Sequence, residues 1–151
     1  MANRTYRGPA DRQPKTVSNR VVAAALLPGT AVVINATQFV QATAVSGGRL
    51  ALLSDRDYYS LGHFNATDAL ATAYVSGDSA VAYVLEPGQE YQWAAAAATY
   101  TNGQELTVAA AGRLAAAAAG NIVVAYYDGA TGIKAAGDLI DVIVAPFYVK
   151  A

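Results

Sequence analysis

The chain has 151 residues, 54% of them hydrophobic and only 14% charged, with no cysteine and a single histidine, His63. That length fits one domain able to bury most of its apolar surface, and charge this sparse, against roughly 25% in an average soluble domain, leaves a surface suited to meeting another protein. The missing cysteines exclude disulfides and thiolate chemistry, and one histidine excludes a multi-histidine metal centre within the chain.

The first twenty residues stand apart. They hold Arg4, Arg7, Arg12, Lys15 and Arg20 against Asp11, five bases to one acid for a net +4, while the remainder holds five bases against ten acids, net −5. They contain no Leu, Ile, Phe or Trp and include Gly8, Pro9 and Pro14. So few apolar groups cannot offset ordering entropy, which predicts a flexible basic arm, residues 1–20, ahead of a single β-rich domain, residues 21–151. Three roles suit the arm: a solubilising tail, a phosphate contact with Tyr6 free to stack, or a strand-like segment folding onto an acidic neighbour. No signal-peptide apolar region opens the chain and no apolar run reaches ~18 residues, so a protein made in a cytoplasm without a membrane span is expected.

From Val21 onward, short apolar runs alternate with turn residues, and each run reads as a strand. In chain order they are residues 21–27, 30–34, 38–45 and 49–53, with the first ended by Pro28-Gly29. Residues 64–70 suit a short helix capped by Asn65 or Thr67. Strands then follow at 70–75, 80–85, 90–93, 105–109, 122–127 and 139–149, the last carrying Pro146, which implies an edge, a bulge or a strand end. Spacing near ten residues predicts a mainly β small barrel or sandwich. Asn102-Gly103 and Asp128-Gly129 are hairpin candidates. The alanine tracts 94–98, 109–111 and 115–119 are too short for isolated helices; Gly112 and Gly120 bracket the third, which allows one or two helical turns, or else a strand or loop backbone lying close to a neighbour. The phrases around Pro28-Gly29 and Pro87-Gly88 echo each other, through either two related β-substructures or the turn alone; the turn is the better account.

Catalytic chemistry finds little support. Asp55 with Asp57, and Asp138 with Asp141, are the carboxylate pairs that a glycosidase or a divalent cation would need, but Asp55-Arg56-Asp57 lacks the further oxygens and the glycine of a calcium loop. Ser18, Ser46, Ser54, Ser60, Ser76 and Ser79 share one histidine and no nucleophile elbow. His63 reads as a loop or packing residue. No catalytic, cofactor or metal residue is assigned, and a non-enzyme is expected. Among the aromatics, the pairs Tyr58-Tyr59 and Tyr126-Tyr127 send one ring to each face of a strand; with Trp93 they are the candidate interface side chains.

A resemblance covers most of residues 20–151. The run Val21-Val-Ala-Ala-Ala-Leu-Leu-Pro-Gly-Thr-Ala-Val-Val-Ile34 is followed by Gly48-Arg-Leu-Ala-Leu-Leu-Ser54, then Tyr83-Val-Leu-Glu-Pro-Gly-Gln89, then Asn102-Gly-Gln-Glu-Leu-Thr-Val-Ala-Ala-Ala-Gly-Arg-Leu114. In texture and turn placement this resembles the capsid decoration (cement) proteins of tailed bacteriophages, the class that includes the lambda head-stabilising protein. The resemblance implies a β-tulip or small-barrel body with one or two short helices. It also implies a homotrimer on the exterior of the virion, bridging subunits of the major capsid protein, with Arg4, Tyr6, Arg7, Arg12, Lys15 and Arg20 docking on the shell. No cofactor, membrane or direct nucleic-acid partner is expected. The rival readings are a carbohydrate- or receptor-binding β-module of a phage fibre, with Trp93 and exposed tyrosines as stacking platforms, and a small nucleic-acid-binding barrel, which the −5 body disfavours.

Overall fold

Residues 4–45, 49–55 and 69–151 are described in the computed structural model. Twelve strands run through them: β1 (Thr16–Val22), β2 (Ala31–Ile34), β3 (Gln38–Gln41), β4 (Arg49–Leu53), β5 (Ser79–Val84), β6 (Glu90–Ala94), β7 (Ala98–Tyr100), β8 (Glu105–Val108), β9 (Leu114–Ala116), β10 (Ile122–Tyr127), β11 (Gly132–Lys134) and β12 (Leu139–Val149). The chain is mainly β, as the short Val- and Tyr-rich runs require. Its helical content among the described residues is two single 3-10 turns, Ala69–Ala71 and Ala110–Gly112.

Strands β1-β3-β2-β4-β5 close into a barrel filled by Val22, Val32, Ile34, Phe39, Ala51 and Leu53. Strands β6-β12-β10-β8-β9 form a second five-stranded sheet; a single parallel bridge between Ala95 and Leu114 joins its two ends, so that it forms a second barrel closed at that one point. The two halves repeat one topology, strand for strand. Val22 pairs parallel with Phe39 as Ala95 does with Leu114. Val32 faces Ala51 as Leu106 faces Ala125. Ala51 then faces Val84 as Ala125 faces Val144, and Val21 faces Ser79 as Ala94 faces Leu139. Even the turns recur. Gly77 (φ +90°) and Gly137 (φ +93°) each precede an aspartate whose Oδ2 accepts the amide three residues back, Val75 at 2.9 Å and Ala135 at 2.8 Å. The matching glycines Gly29 (φ +75°) and Gly103 (φ +77°) donate to Leu53 at 2.9 Å and Tyr127 at 2.8 Å.

The repeat is not the Pro-Gly echo. Pro28-Gly29 precedes the second strand of its barrel, whereas Pro87-Gly88 precedes the first strand of the other. The echo is only a shared turn, and the related substructures exist in a different frame. A common core binds them: Ala31 and Leu52 of the first barrel pack with Tyr91, Trp93, Tyr100, Leu106 and Leu114 of the second. Gly29 also accepts the Ala94 amide at 2.8 Å, and Gly112 donates to Ala42 at 2.7 Å.

Several expectations are corrected. The first strand starts at Thr16, because Thr16 and Val17 already pair with Tyr83 and Ala82 of β5. Thr16, Ser18 and Asn19 are exposed, so no apolar run marks this part of the strand, and its register slips between Val17 and Arg20. Residues 70–75 are no strand; they hold the end of a 3-10 turn and one bridge, Tyr74 to Leu26. Of the two readings of the alanine tract 115–119, the strand one holds for Ala115 and Ala116, which complete the ladder with Thr107 and Leu106. Asn102-Gly103 and Asp128-Gly129 close no hairpin, because β7 and β11, the short strands beside them, pair with each other and not with β8 and β10. Pro146 does sit at a bulge, where the β10–β12 register slips and Phe147 takes φ +50°. Residues 64–68 of the expected capped helix lie outside the described residues.

Candidate functional site

The basic N-terminal segment is seated on the second barrel along residues 5–7. Tyr6 pairs antiparallel with Tyr91: the Arg7 amide donates to Glu90 at 2.9 Å, and the Gln92 amide donates to Thr5 at 2.7 Å. The segment therefore adds a strand to the outer edge of β6. Thr5 is fully buried and its amide donates to Asp55 Oδ1 at 2.6 Å. The free arm expected over residues 1–20 is thus corrected from Thr5 onward, because strand pairing supplies the ordering that apolar burial could not.

Aromatic packing holds the seat. The Tyr6 ring lies 5.6 Å from Tyr91 and 6.3 Å from Tyr83, with Tyr83 and Tyr91 5.5 Å apart, all tilted or edge-on. Such pairs contribute about 0.5–1.5 kcal/mol each beyond the area they bury. Burial pushes the Tyr83 phenol up to about 12, with the Asp55 charge adding to it. Tyr91 is also driven up, by burial first and by Tyr83 and Tyr6 next. Beyond the strand the Tyr6 hydroxyl donates to Arg12 O at 2.6 Å and folds residues 8–12 back on themselves.

The five basic residues of the arm have different fates. Arg7 pairs with Asp141 at 3.4 Å. Lys15 pairs with Glu86 at 2.8 Å, and the hydrogen bond to that carboxylate raises the ammonium above its ordinary value. The Arg20 guanidinium is spent on backbone carbonyls, Asn35 at 3.0 Å and Asn19 at 3.1 Å. Arg4 and Arg12 are exposed. Two clefts flank Tyr6. One, about 470 Å³, is lined by Arg4, Arg7, Glu90, Asp128 and Asp141; the other, about 570 Å³, by Pro9, Arg12, Glu86 and Gln89. The site is a mixed-charge rim around a ridge that carries Arg4 and Arg12.

The interface aromatics are only partly where expected. Trp93 is completely buried, its indole N–H donating to Gly112 O at 3.2 Å, so it is a core pin and not a stacking platform. Tyr127 is buried as well, and stacks on Tyr100 at 5.7 Å. Tyr126 remains half-exposed; it lies 6.4 Å from Tyr148, to whose hydroxyl it donates at 3.2 Å. Tyr148 in turn donates to Glu105 Oε1 at 2.5 Å, and Lys150 closes on Glu105 at 2.9 Å. The Tyr148 bond first, then Lys150, hold the Glu105 carboxyl below its usual value.

Tyr58, Tyr59, Asp57 and His63 lie outside the described residues. The carboxylate pair Asp138 and Asp141 is divided between two jobs, the former closing a turn and the latter receiving Arg7. Among the described residues no three His, Cys, Asp or Glu side chains converge as a metal centre. Sequence reasoning missed the seat itself: Thr5, Asp55, Tyr83, Glu90 and Tyr91 come from four separate segments, and only the opposite charges of arm and body hinted at it. No protein-family model matches the chain, and no curated protein matches it.

Proposed function

We propose that the protein is a structural capsid decoration (cement) protein of a tailed phage, binding the outside of the head and tying neighbouring major capsid subunits together. The observation that carries this reading is the cationic N-terminal ridge, already ordered as an added strand on a double barrel with a shared core. A pre-ordered ridge loses little conformational entropy on docking, so exposed Arg4 and Arg12 meet a shell surface at low cost. Three copies around a symmetry axis multiply such weak contacts. The surface supports the same reading: Leu27, Val75, Ile133 and Val149 are between 48% and 83% exposed, apolar contact area on a chain poor in charge. The glycan-binding alternative loses one of its stacking platforms, Trp93, to the core.

Co-sedimentation with undecorated expanded heads of the parent phage tests the proposal. Deleting residues 1–20 would remove five of the seven residues of β1, so the informative variant is Arg4→Glu with Arg12→Glu. Saturable binding by the unmodified protein, weakened at least about tenfold by the double charge reversal, is the expected result. Absence of binding by the unmodified protein overturns the decoration reading.

A further inference from the structure

The internal repeat exposes an inequality between the two barrels. In the second, the outer edge of β6 is capped by residues 5–7. Its counterpart in the first is the outer edge of β1, with Thr16 and Val17 matching Glu90 and Tyr91 through their shared partners on β5 and β12. There Thr16, Ser18 and Asn19 are exposed, and among the described residues nothing pairs with that edge until β3 takes over at Val21. An open strand edge is a template for another extended chain.

Charge indicates which chain. Around the capped edge stand Glu90, Asp128 and Asp141, and the strand they receive is basic. The matching positions in the first barrel are Thr16, Ser54 and Val81, none of them acidic. Arg20 flanks this edge, and among the described residues its guanidinium is bonded to carbonyl oxygens alone. Lys15 at the other end shares its charge with Glu86, and Asp55 is engaged by the Thr5 amide.

We propose that the outer edge of β1, residues 16–19, is a strand-addition site for an extended, carboxylate-bearing segment of a partner protein, which pairs antiparallel as residues 5–7 do on β6. The protein's own N-terminal segment is the wrong occupant, because it is basic and already seated. Main-chain bonds to the Thr16 carbonyl and the Ser18 amide give the affinity, and Arg20 selects the charge. The site is independent of the shell reading, since any partner presenting such a segment satisfies it.

The test uses the full chain and two blocked hexapeptides, Asn-Arg-Thr-Tyr-Arg-Gly, which copies residues 3–8, and the same frame with both arginines replaced by aspartate. Amide shifts and hydrogen exchange are followed through a titration to about 1 mM, the weak limit for a short strand. The acidic peptide should perturb residues 16–19 and slow Ser18 exchange at least about twofold at about 1 mM, while the basic peptide leaves them unchanged. Arg20→Glu, with its fold checked by the dispersion of the same spectra, should abolish the acidic response. No response to the acidic peptide, or a response confined to Glu90–Gln92, overturns the proposal. A stronger response to the basic peptide also overturns it, and would assign the edge to a second copy's N-terminal segment.

Discussion

Gly112 joins the two barrels, and replacing it measures how closely they touch. It sits at φ +64°, and a Cβ there would lie 2.5 Å from Ala31 O and 2.6 Å from Thr30 Cγ2, both on the other barrel. Gly120 is the matched control: φ is +85° and nothing lies within 4 Å of its added Cβ. Gly120→Ala therefore reports left-handed strain alone, about 1 kcal/mol. Gly112→Ala carries that strain and also forces backbone apart at the junction, an overpacking term of about 1–3 kcal/mol, for a total near 3 kcal/mol. In urea, with a slope of about 2 kcal/mol per molar, the midpoints should fall by about 0.5 M for Gly120→Ala and about 1.5 M for Gly112→Ala. Equal shifts would refute the close approach at Gly112. A biphasic transition in Gly112→Ala alone would mean that the contact also couples the unfolding of the two barrels.

Two pH dependences follow from the tyrosine and carboxylate clusters. Glu105 is held below its usual value, so its share of stability is present above about pH 4.5 and lost as pH falls through the lowered value. Glu105→Gln should accordingly lower the thermal midpoint at pH 7 and converge with the unmodified protein on acidification, as calorimetry between pH 3 and 7 would read. Tyr83 shifts the other way: with the folded phenol near 12 and the unfolded near 10, its contribution is intact below pH 10 and lost as pH climbs towards 12. Tyr83→Phe should flatten the alkaline fall in the urea midpoint between pH 9 and 11.5; an unchanged slope would remove Tyr83 from that titration.

Most of the architecture was legible because most strands announce themselves. Residues 49–53, 122–127 and 139–149 are apolar runs between turn residues, and each became a strand with those bounds. The failures have two physical sources. Strand β1 is polar on its outer face, so hydrophobicity marks only its last residues. Strands β7, β9 and β11 are three residues long, below the span over which any period can register. The repeat was invisible for a third reason: matched positions such as Phe39 and Leu114, or Leu53 and Tyr127, share hydrogen-bond geometry without sharing side chains. The docking seat depends on Thr5 meeting Asp55 and on Tyr6 meeting Tyr83 and Tyr91, contacts across separations no local pattern encodes.

The seating of residues 5–7 on β6 also imposes an order on folding. Each barrel closes by pairing its first strand with its last, β1 with β5 and β6 with β12. Closing such long loops makes both steps slow relative to local structure. During synthesis the first barrel has all its strands once Val84 has emerged, whereas the N-terminal segment has no edge to join until β6 exists. Residues 5–7, made before either barrel, are thus among the last to find their place, and they act as a latch that engages only after the second barrel has begun to form.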